Sequence, residues 1–197
     1  MIATFFPSNP ASGTCSVPFS SGSFSADTAI RVYHGWVSTI VLIGYRGTGK
    51  STLGSWLANE LGVPFIDTDE KVLEHLGFRN VKQAWAAVKE GGWREAEREI
   101  IPLLFQMEGI IALGGGAPLL EEVGHELRKV PLVIHLWAEP AVITSRLAEG
   151  DDRPALSQDD LDVMYARLPQ YTLLSMCDID TSGDLEETKA MLLEKTG

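Results

Sequence analysis

The chain has 197 residues, of which 45% are hydrophobic and 22% charged, and its formal net charge is −11 at pH 7. This length and composition suit a single globular domain with an apolar core. The acidic balance argues against a nucleic-acid-binding protein, which needs clustered lysine and arginine, and no apolar run is long enough to predict a membrane span. The two cysteines, Cys15 and Cys177, have no metal-ligand spacing and indicate neither a disulfide framework nor a zinc site.

Residues 1–36 differ in composition from the rest of the chain. They are rich in serine, contain prolines that break regular elements, and have no lysine. Such a segment cannot repay the entropy cost of ordering, so a flexible tail is predicted there. A serine-rich, acid-poor start is also typical of an organelle transit peptide, although Arg31 is the tail's single arginine. We therefore expect a cytoplasmic protein, with a plastid location as the alternative.

From residue 37 to residue 197, short β-rich runs alternate with amphipathic stretches, which predicts an α/β domain with a parallel sheet covered by helices. Strands are expected at Thr39–Ile43, Pro64–Asp67, Ile110–Leu113, Leu132–Trp137 and Asp178–Asp180. Helices are expected at Lys50–Leu61, Asp69–Leu76, Val81–Lys89, Arg94–Met107, Pro140–Leu147, Asp160–Leu174 and Leu185–Lys195. A charged loop, Ala148–Gln158, separates two of these helices.

The segment from Gly44 to Thr52 fits the pattern GxxxxGK(S/T) and lies between a predicted strand and a predicted helix. Its glycines let backbone amides curl around a phosphate, and the helix N-terminus points partial positive charge at the same anion. In this scheme Lys50 reaches the β- and γ-phosphates and the Ser51 hydroxyl ligates magnesium. The alternative is a glycine-rich turn with an exposed lysine. Arg46 has no necessary role here and is expected to face solvent.

The residues after this loop narrow the class to a small kinase. No Asn-Lys-x-Asp tetrapeptide is present to read guanine, and one domain leaves little room for the machinery of a motor ATPase. Asp67 and Asp69 directly follow a predicted strand, and alternate residues of an extended segment project to one side. Two carboxylates would then face one cleft, although aspartates also commonly cap a following helix.

Three further motifs have both a functional and an ordinary interpretation. Arg94 and Glu97 lie three residues apart on one helix face, a spacing more often typical of a surface ion pair. Three successive glycines, 114–116, after a buried strand favour close approach of a ligand to the backbone. Arg153, in the charged loop, is either part of a solvated ion pair or carried by a mobile lid to the transferring phosphate.

Taken in this order, the motifs resemble those of the shikimate kinase family of the nucleoside-monophosphate-kinase-like P-loop fold. The family has a P-loop, Asp-x-Asp, aromatic-Arg-x-x-Glu, Gly-Gly-Gly, a lid Arg-Pro and Arg-x-Pro-x-Tyr, and each has a counterpart between Val37 and the C-terminus. Three features depart from the usual pattern. Trp93 replaces the commoner phenylalanine, Ala155 follows the lid Arg-Pro where a bulky apolar residue is usual, and residues 89–92 match a Gly-Glu stretch only loosely.

The resemblance implies a three-layer P-loop fold with a five-stranded parallel sheet and a mobile lid. It also implies ATP-dependent phosphorylation of the shikimate 3-hydroxyl, a step of chorismate and aromatic amino-acid biosynthesis, by a magnesium-dependent (Mg2+) monomer. The implied ATP-binding residues are Gly47, Thr48, Gly49, Lys50, Ser51, Thr52, Arg146 and Arg153. The implied shikimate-binding residues are Asp69, Arg94, Gly115, Gly116 and Arg167. Ser51 and Asp67 would serve the metal, and the implied catalytic residues are Lys50, Asp69 and Arg153.

Two alternatives stay open at this point. Another small-molecule kinase of the same fold, acting on gluconate or a nucleotide, would share the P-loop; the triple glycine and the aromatic-Arg-x-x-Glu are the discriminating features. A non-catalytic kinase-like protein would be expected to lack catalytic residues, and none of those implied by the resemblance is missing.

Overall fold

The computed structural model describes residues 39–148 and 157–196. Within these ranges one parallel sheet is formed by β1 Ile40–Ile43, β2 Phe65–Asp67, β3 Ile110–Ala112, β4 Leu132–Trp137 and β5 Cys177–Asp180. The order across the sheet is β2-β3-β1-β4-β5, and every pairing is parallel. The predicted α/β class and the strand positions are confirmed, with ends that differ by at most one residue.

Helices cover the sheet and connect its strands. They are α1 Lys50–Leu61, α2 Thr68–Leu76, α3 Val81–Leu104, α4 Glu121–Leu127, α5 Pro140–Ala148, α6 Gln158–Leu174 and α7 Leu185–Thr196. A 3-10 turn at Ala117–Leu119 precedes α4. The sequence analysis predicted neither this turn nor α4. The other helices lie where they were expected.

The α3 region contains the two predicted helices, and the break between them lies at Lys89, where the first was predicted to end. The helical stretch runs from Val81 to Leu104 and is kinked at Lys89, where φ is 58° and ψ is −176°. A left-handed φ is uncommon for a residue other than glycine and disrupts the regular helical turn. The second half ends at Leu104. Met107 lies in the turn that follows, and its carbonyl oxygen accepts a hydrogen bond from Thr39 Oγ1 at 2.6 Å.

The residues of β1 alternate between two apolar cores. Val41 and Ile43 belong to one buried cluster, while Ile40 and Leu42 belong to another that includes Leu53 from α1. Successive side chains of a strand point to opposite faces, so the sheet is covered on both faces and the domain has three layers. This double burial explains why the strand is a continuous apolar run instead of an alternating one.

The strand order places three loops at one edge of the sheet. β1 pairs with β3 on one side and with β4 on the other, so the chain winds in opposite directions from this point. Ligands of open parallel sheets bind in the crevice at such a switch point, outside the carboxyl ends of the strands. The amide of Leu113 donates to Leu42 O at 3.0 Å, which extends the pairing of β3 with β1 by one residue. The glycine triplet that follows Leu113 therefore lies next to the loop after β1.

Two predicted segments fall outside the described residues. The tail assigned to residues 1–36 is one, and residues 149–156 of the predicted lid are the other. Both assignments stay predictions. Among the helices that the structure describes, none combines the length and the apolar character needed to cross a membrane.

Candidate active site

The loop between β1 and α1 is shaped by glycines. Gly44, Gly47 and Gly49 have φ values of 144°, 80° and 93°, which side-chain-bearing residues rarely adopt. A Cβ atom on Gly47 would lie 2.8 Å from Cγ2 of Ile143, so α5 also leaves no room for a side chain there. Helix α1 follows directly, and its N-cap, Gly49, has no side chain to satisfy the first amides. The loop and helix start therefore present backbone donors suited to phosphate.

Lys50 lies across this loop. Its Nζ donates to Gly44 O and to Tyr45 O, each at 2.9 Å. The side chain also lines a cavity of about 350 Å3. The amine is therefore held at the mouth of the loop, next to the position that the phosphates of a bound nucleotide would occupy.

Asp67 combines the two roles that the sequence left open. Its Oδ1 accepts from the amide of Asp69 at 3.0 Å and caps α2, while its Oδ2 accepts from Ser51 Oγ at 2.7 Å. A hydroxyl and a carboxylate thus meet beside the phosphate loop. No group of three or more His, Cys, Asp or Glu residues within the described part of the chain could hold a metal unaided. The pair fits Mg2+, which takes one or two protein oxygens and completes its shell with phosphate oxygens and water.

The first glycine of the triplet makes room for carboxylates. A Cβ on Gly114 would lie 2.5 Å from Asp69 Oδ1 and 3.4 Å from Glu97 Oε1. The Gly114 amide donates to Thr68 Oγ1 at 2.9 Å in a buried hydrogen bond. The backbone after β3 is thereby fixed against the start of α2, with the Asp69 carboxylate packed on it.

The third glycine makes room for Arg94. A Cβ on Gly116 would lie 2.7 Å from Cζ of the Arg94 guanidinium. Arg94 Nη1 donates to Glu97 Oε2 at 2.7 Å, and its Nη2 lies 3.5 Å from Glu90 Oε1. The guanidinium is therefore pressed flat against the glycine backbone and oriented by carboxylates of its own helix.

The Arg94–Glu97 pair is not the surface ion pair that its spacing most often indicates. Glu97 is only 1% exposed. Burial raises the pKa of its carboxyl, and the hydrogen bond and charge of Arg94 work in the opposite direction. A buried carboxylate is costly to retain unless it is paired, so this pair fixes Arg94 far more firmly than an exposed pair would.

Helix α6 contributes two donors to the middle glycine. Arg167 Nη1 lies 3.3 Å from Gly115 O, and the Tyr171 hydroxyl makes a short hydrogen bond to the same oxygen. Arg167 also stacks over the Tyr45 ring, with Cζ 5.7 Å from the ring centroid. Burial raises the pKa of Tyr171, which keeps its hydroxyl protonated as a donor. Among the described residues, Arg167 forms no ion pair with a carboxylate.

The sequence analysis missed a contact between the phosphate loop and the start of α6. Arg46 was expected to face solvent, but its Nη2 lies 2.9 Å from Asp160 Oδ1. The Tyr45 hydroxyl donates to the same oxygen at 3.3 Å. Asp160 lies more than one hundred residues away in sequence, and no local pattern pairs it with the loop.

Arg146 lies at a second cavity, of about 480 Å3, on the other side of the phosphate loop. Its guanidinium donates to both oxygens of Thr181 and approaches Gly47 O at 3.5 Å. Thr181 Oγ1 in turn donates to Thr48 O at 3.0 Å. The cavity also contains Thr52, Leu185 and Thr188, of which only Thr52 was among the predicted ATP-binding residues.

The two cavities share the phosphate loop. Gly47, Gly49 and Thr52 line both of them. The first cavity also contains the two aspartates and the first two glycines of the triplet, and the second contains Arg146. The predicted nucleotide, metal and acceptor residues therefore lie around one loop at the switch point of the sheet. Arg153 is the exception, since it lies outside the described residues.

Comparison with known proteins identifies the family. The family model described as Shikimate kinase matches residues 46–195, well over half of the chain. The chain belongs to the shikimate kinase family. The resemblance seen in the motif order is thereby confirmed, and the alternative of a non-catalytic kinase-like protein is not supported.

Individual shikimate kinases agree with this assignment. The shikimate kinase of Thermodesulfovibrio yellowstonii is 33% identical over 153 residues, which cover 75% of this chain and 87% of that protein. The solved structure of the shikimate kinase from Bacteroides thetaiotaomicron has a TM-score of 0.70 at 27% identity and covers 80% of this chain and 97% of its own. The Acinetobacter baumannii shikimate kinase in complex with shikimate has the same fold, with a TM-score of 0.76 at 24% identity over 84% of this chain and 95% of its own.

Proposed function

We propose that this chain transfers the γ-phosphoryl group of ATP to the 3-hydroxyl of shikimate and releases ADP and shikimate 3-phosphate. The observation that carries the proposal is the cavity of about 350 Å3, which is lined by Lys50 and Ser51 of the phosphate loop and also by Asp69, Gly114 and Gly115. Phosphoryl transfer requires a donor phosphate and an acceptor hydroxyl to meet in line in such a space. Membership of the shikimate kinase family supports the choice of acceptor.

On the donor side, the amides of residues 47–52 hold the α- and β-phosphates of ATP, and Lys50 neutralises charge on the β- and γ-phosphates. The nucleotide base occupies the second cavity. There the Arg146 guanidinium is fixed in place by Thr181, so its planar face can stack on the base. The loop thus separates the base from the reacting phosphate.

Magnesium is assigned to the Ser51 hydroxyl and the Asp67 carboxylate. These two side chains would hold the ion, which would supply positive charge to offset the negative charge that develops during phosphoryl transfer. The 2.7 Å hydrogen bond between Ser51 and Asp67 supports the assignment, because it holds two oxygen ligands side by side at the phosphate loop. Asp67 is kept in this position by its second role as the cap of α2.

On the acceptor side, guanidinium groups flank the glycine triplet. Arg94 lies against Gly116 and Arg167 donates to Gly115 O. Two planar forks suit a carboxylate, which they can bind through paired charge-assisted hydrogen bonds. Arg167 has no carboxylate partner within the described residues, so its charge is available for the carboxylate of shikimate.

The reaction then follows from the position of Asp69. Its carboxylate accepts hydrogen bonds from the ring hydroxyls and takes the proton of the 3-hydroxyl as the oxygen attacks the γ-phosphorus. The bond from the γ-phosphorus to the β–γ bridging oxygen breaks, and ADP leaves. Lys50 and the loop amides stabilise the charge on the transferring group. We assign the same task to Arg153, brought by the lid from the segment outside the described residues.

The test is a coupled ADP-release assay with shikimate, gluconate and a nucleoside monophosphate as acceptors. We expect turnover with shikimate that exceeds turnover with either of the others by orders of magnitude. Lys50→Met serves as the control for a contaminating kinase, since it removes the cation assigned to the β- and γ-phosphates. A clear preference for gluconate or a nucleotide would refute the acceptor assignment and leave the P-loop kinase mechanism standing.

A further inference from the structure

Arg46 is a cation at the acceptor cavity to which the proposed function gives no role. It lines the same cavity as Asp69, Gly114 and Gly115. Its backbone also approaches the glycine triplet, because a Cβ on Gly115 would lie 3.6 Å from the Arg46 amide nitrogen. Arg46 is thus a third arginine at the triplet, and it comes from the phosphate loop.

The guanidinium of Arg46 has donor capacity that the described residues do not use. Nη2 is paired with Asp160 Oδ1 at 2.9 Å. Nε is buried and has no hydrogen-bond partner among the residues that the structure describes. A buried donor without a partner is costly, and a shift of the side chain that brings Nε to an acceptor removes the cost. An ordinary surface ion pair, in which water serves the remaining donors, has no such feature.

The charges around Arg46 favour an anion. Asp160 faces it from α6, Tyr45 lies beside it in the loop, and Arg167 stacks over the Tyr45 ring. These are two guanidinium groups and one carboxylate. Asp160 also accepts from the amide and the hydroxyl of Ser157, so its charge is shared among several donors. Among these direct neighbours positive charge exceeds negative charge, although Asp67, Asp69 and Glu70 also line the cavity.

We propose that Arg46 is a specificity-determining residue of the acceptor site, where it binds the anionic group of the acceptor together with Arg94 and Arg167. Asp160 is its positioning residue, which holds the guanidinium at the edge of the cavity. This inference rests on the proposed function and deepens it. It adds one requirement to the acceptor: a negative charge within reach of the phosphate loop.

The first experiment compares Arg46→Met with a matched control, Arg98→Met. Arg98 forms an exposed ion pair with Glu122 at 3.3 Å and does not line the cavity. We expect Arg46→Met to raise the KM for shikimate about tenfold or more, the loss typical of a hydrogen bond to a charged group. The KM for ATP should stay within about twofold, and Arg98→Met should change neither constant. If Arg46 had a purely structural role, Arg46→Met would change the KM for shikimate and the KM for ATP together.

Arg46→Lys keeps the charge and protects the test against a folding defect in the Met variant. We expect its KM for shikimate to lie between those of the wild type and Arg46→Met. The neutral carboxamide analogue of shikimate is the second probe. The wild type should prefer shikimate to this analogue strongly. In Arg46→Met the preference should fall by about the same factor by which the KM for shikimate rises.

The role of Asp160 is tested by a double-mutant cycle. Asp160→Asn should raise the KM for shikimate severalfold in the wild type and have little further effect in Arg46→Met, because Asp160 acts through Arg46. An equal rise in the KM for shikimate on Asp160→Asn in the wild type and in Arg46→Met would show that Asp160 acts through the start of α6 and not through Arg46.

The outcomes separate the two proposals. If the wild type phosphorylates shikimate and Arg46→Met behaves like Arg98→Met, the acceptor role of Arg46 is refuted while the proposed function stands. A Lys variant no better than the Met variant would also refute a role of the charge. If the wild type leaves shikimate unphosphorylated, both proposals fail together.

Discussion

A single methyl group at Gly116 offers a way to displace Arg94 without changing any charge. Gly116 has φ −94° and ψ −19°, so alanine can adopt its backbone conformation without strain. The new Cβ, however, would lie 2.7 Å from Arg94 Cζ, well inside van der Waals contact. Gly116→Ala must therefore push the guanidinium away from the glycine backbone by roughly 1 Å, since such carbon contacts are normally near 3.5 to 4 Å.

The expected magnitude follows from the bonds that Arg94 would make to the acceptor. Charge-assisted hydrogen bonds are short, and a displacement of this size takes a fork out of bonding distance. Losing a hydrogen bond to a charged group costs about 1.5 to 3 kcal/mol, which corresponds to roughly a 10- to 150-fold rise in the KM for shikimate. The KM for ATP should hardly change, because Gly116 is not among the residues that line the second cavity.

Steady-state kinetics with both substrates varied provides the assay, and two other glycines provide controls. A Cβ on Gly183 or Gly91 would meet nothing within 4 Å, so Gly183→Ala and Gly91→Ala should leave both KM values unchanged. Thermal unfolding of Gly116→Ala checks that the fold survives. A KM for shikimate equal to that of the controls in a stably folded Gly116→Ala protein would refute the contact between Arg94 and the acceptor.

Three further variants test separate parts of the site. Lys50→Met should lower turnover about a hundredfold or more, as expected for loss of a transition-state charge donor, while leaving the melting temperature nearly unchanged. Asp69→Asn should lower turnover by about a hundredfold with a smaller change in the KM for shikimate, because an amide is a poor proton acceptor. Burial raises the pKa of Glu97, so as the pH falls Glu97 is neutralised and Arg94 loses the closer of its two carboxylate partners. The KM for shikimate should therefore rise as the pH falls. In Glu97→Gln the KM for shikimate should be at this raised value at every pH.

Each of these expectations has a contradicting result. Wild-type turnover in folded Lys50→Met would exclude the P-loop kinase mechanism. A turnover of Asp69→Asn close to that of the wild type would remove Asp69 as the proton acceptor. A Glu97→Gln protein with the same pH profile of KM as the wild type would show that another group titrates.

The parts of the fold that could be predicted from the sequence are those that local chemistry determines. The apolar run of β1 is a strand because both of its faces are buried, and Gly62 ends α1 with a left-handed φ of 67°. Ser157 and Asp160 start α6 with a capping box, within a few residues of the predicted position. Each of these features depends on neighbours in sequence.

The parts that the sequence analysis missed depend on distant partners. The sequence predicted a helix end at Lys89, but not that the chain becomes helical again directly after this residue instead of at Arg94. Burial of Glu97 requires α3 to pack against the triplet after β3. The ion pair of Arg46 requires α6 to return to a loop more than one hundred residues earlier. No periodicity or spacing encodes such contacts, so a polar residue predicted to face solvent lies instead at the site.

Thr181, at the end of β5, has a consequence for how the protein is made. It donates to Thr48 O across 133 residues and accepts from Arg146, so the phosphate loop near the start of the domain is completed by residues near its end. During synthesis, β1 and the loop leave the ribosome long before β5 exists to close the second cavity. Contacts of such large sequence separation form late, because the loop-closure entropy comes first. We therefore expect the proposed ATP site to be complete only after the last strand has joined the sheet.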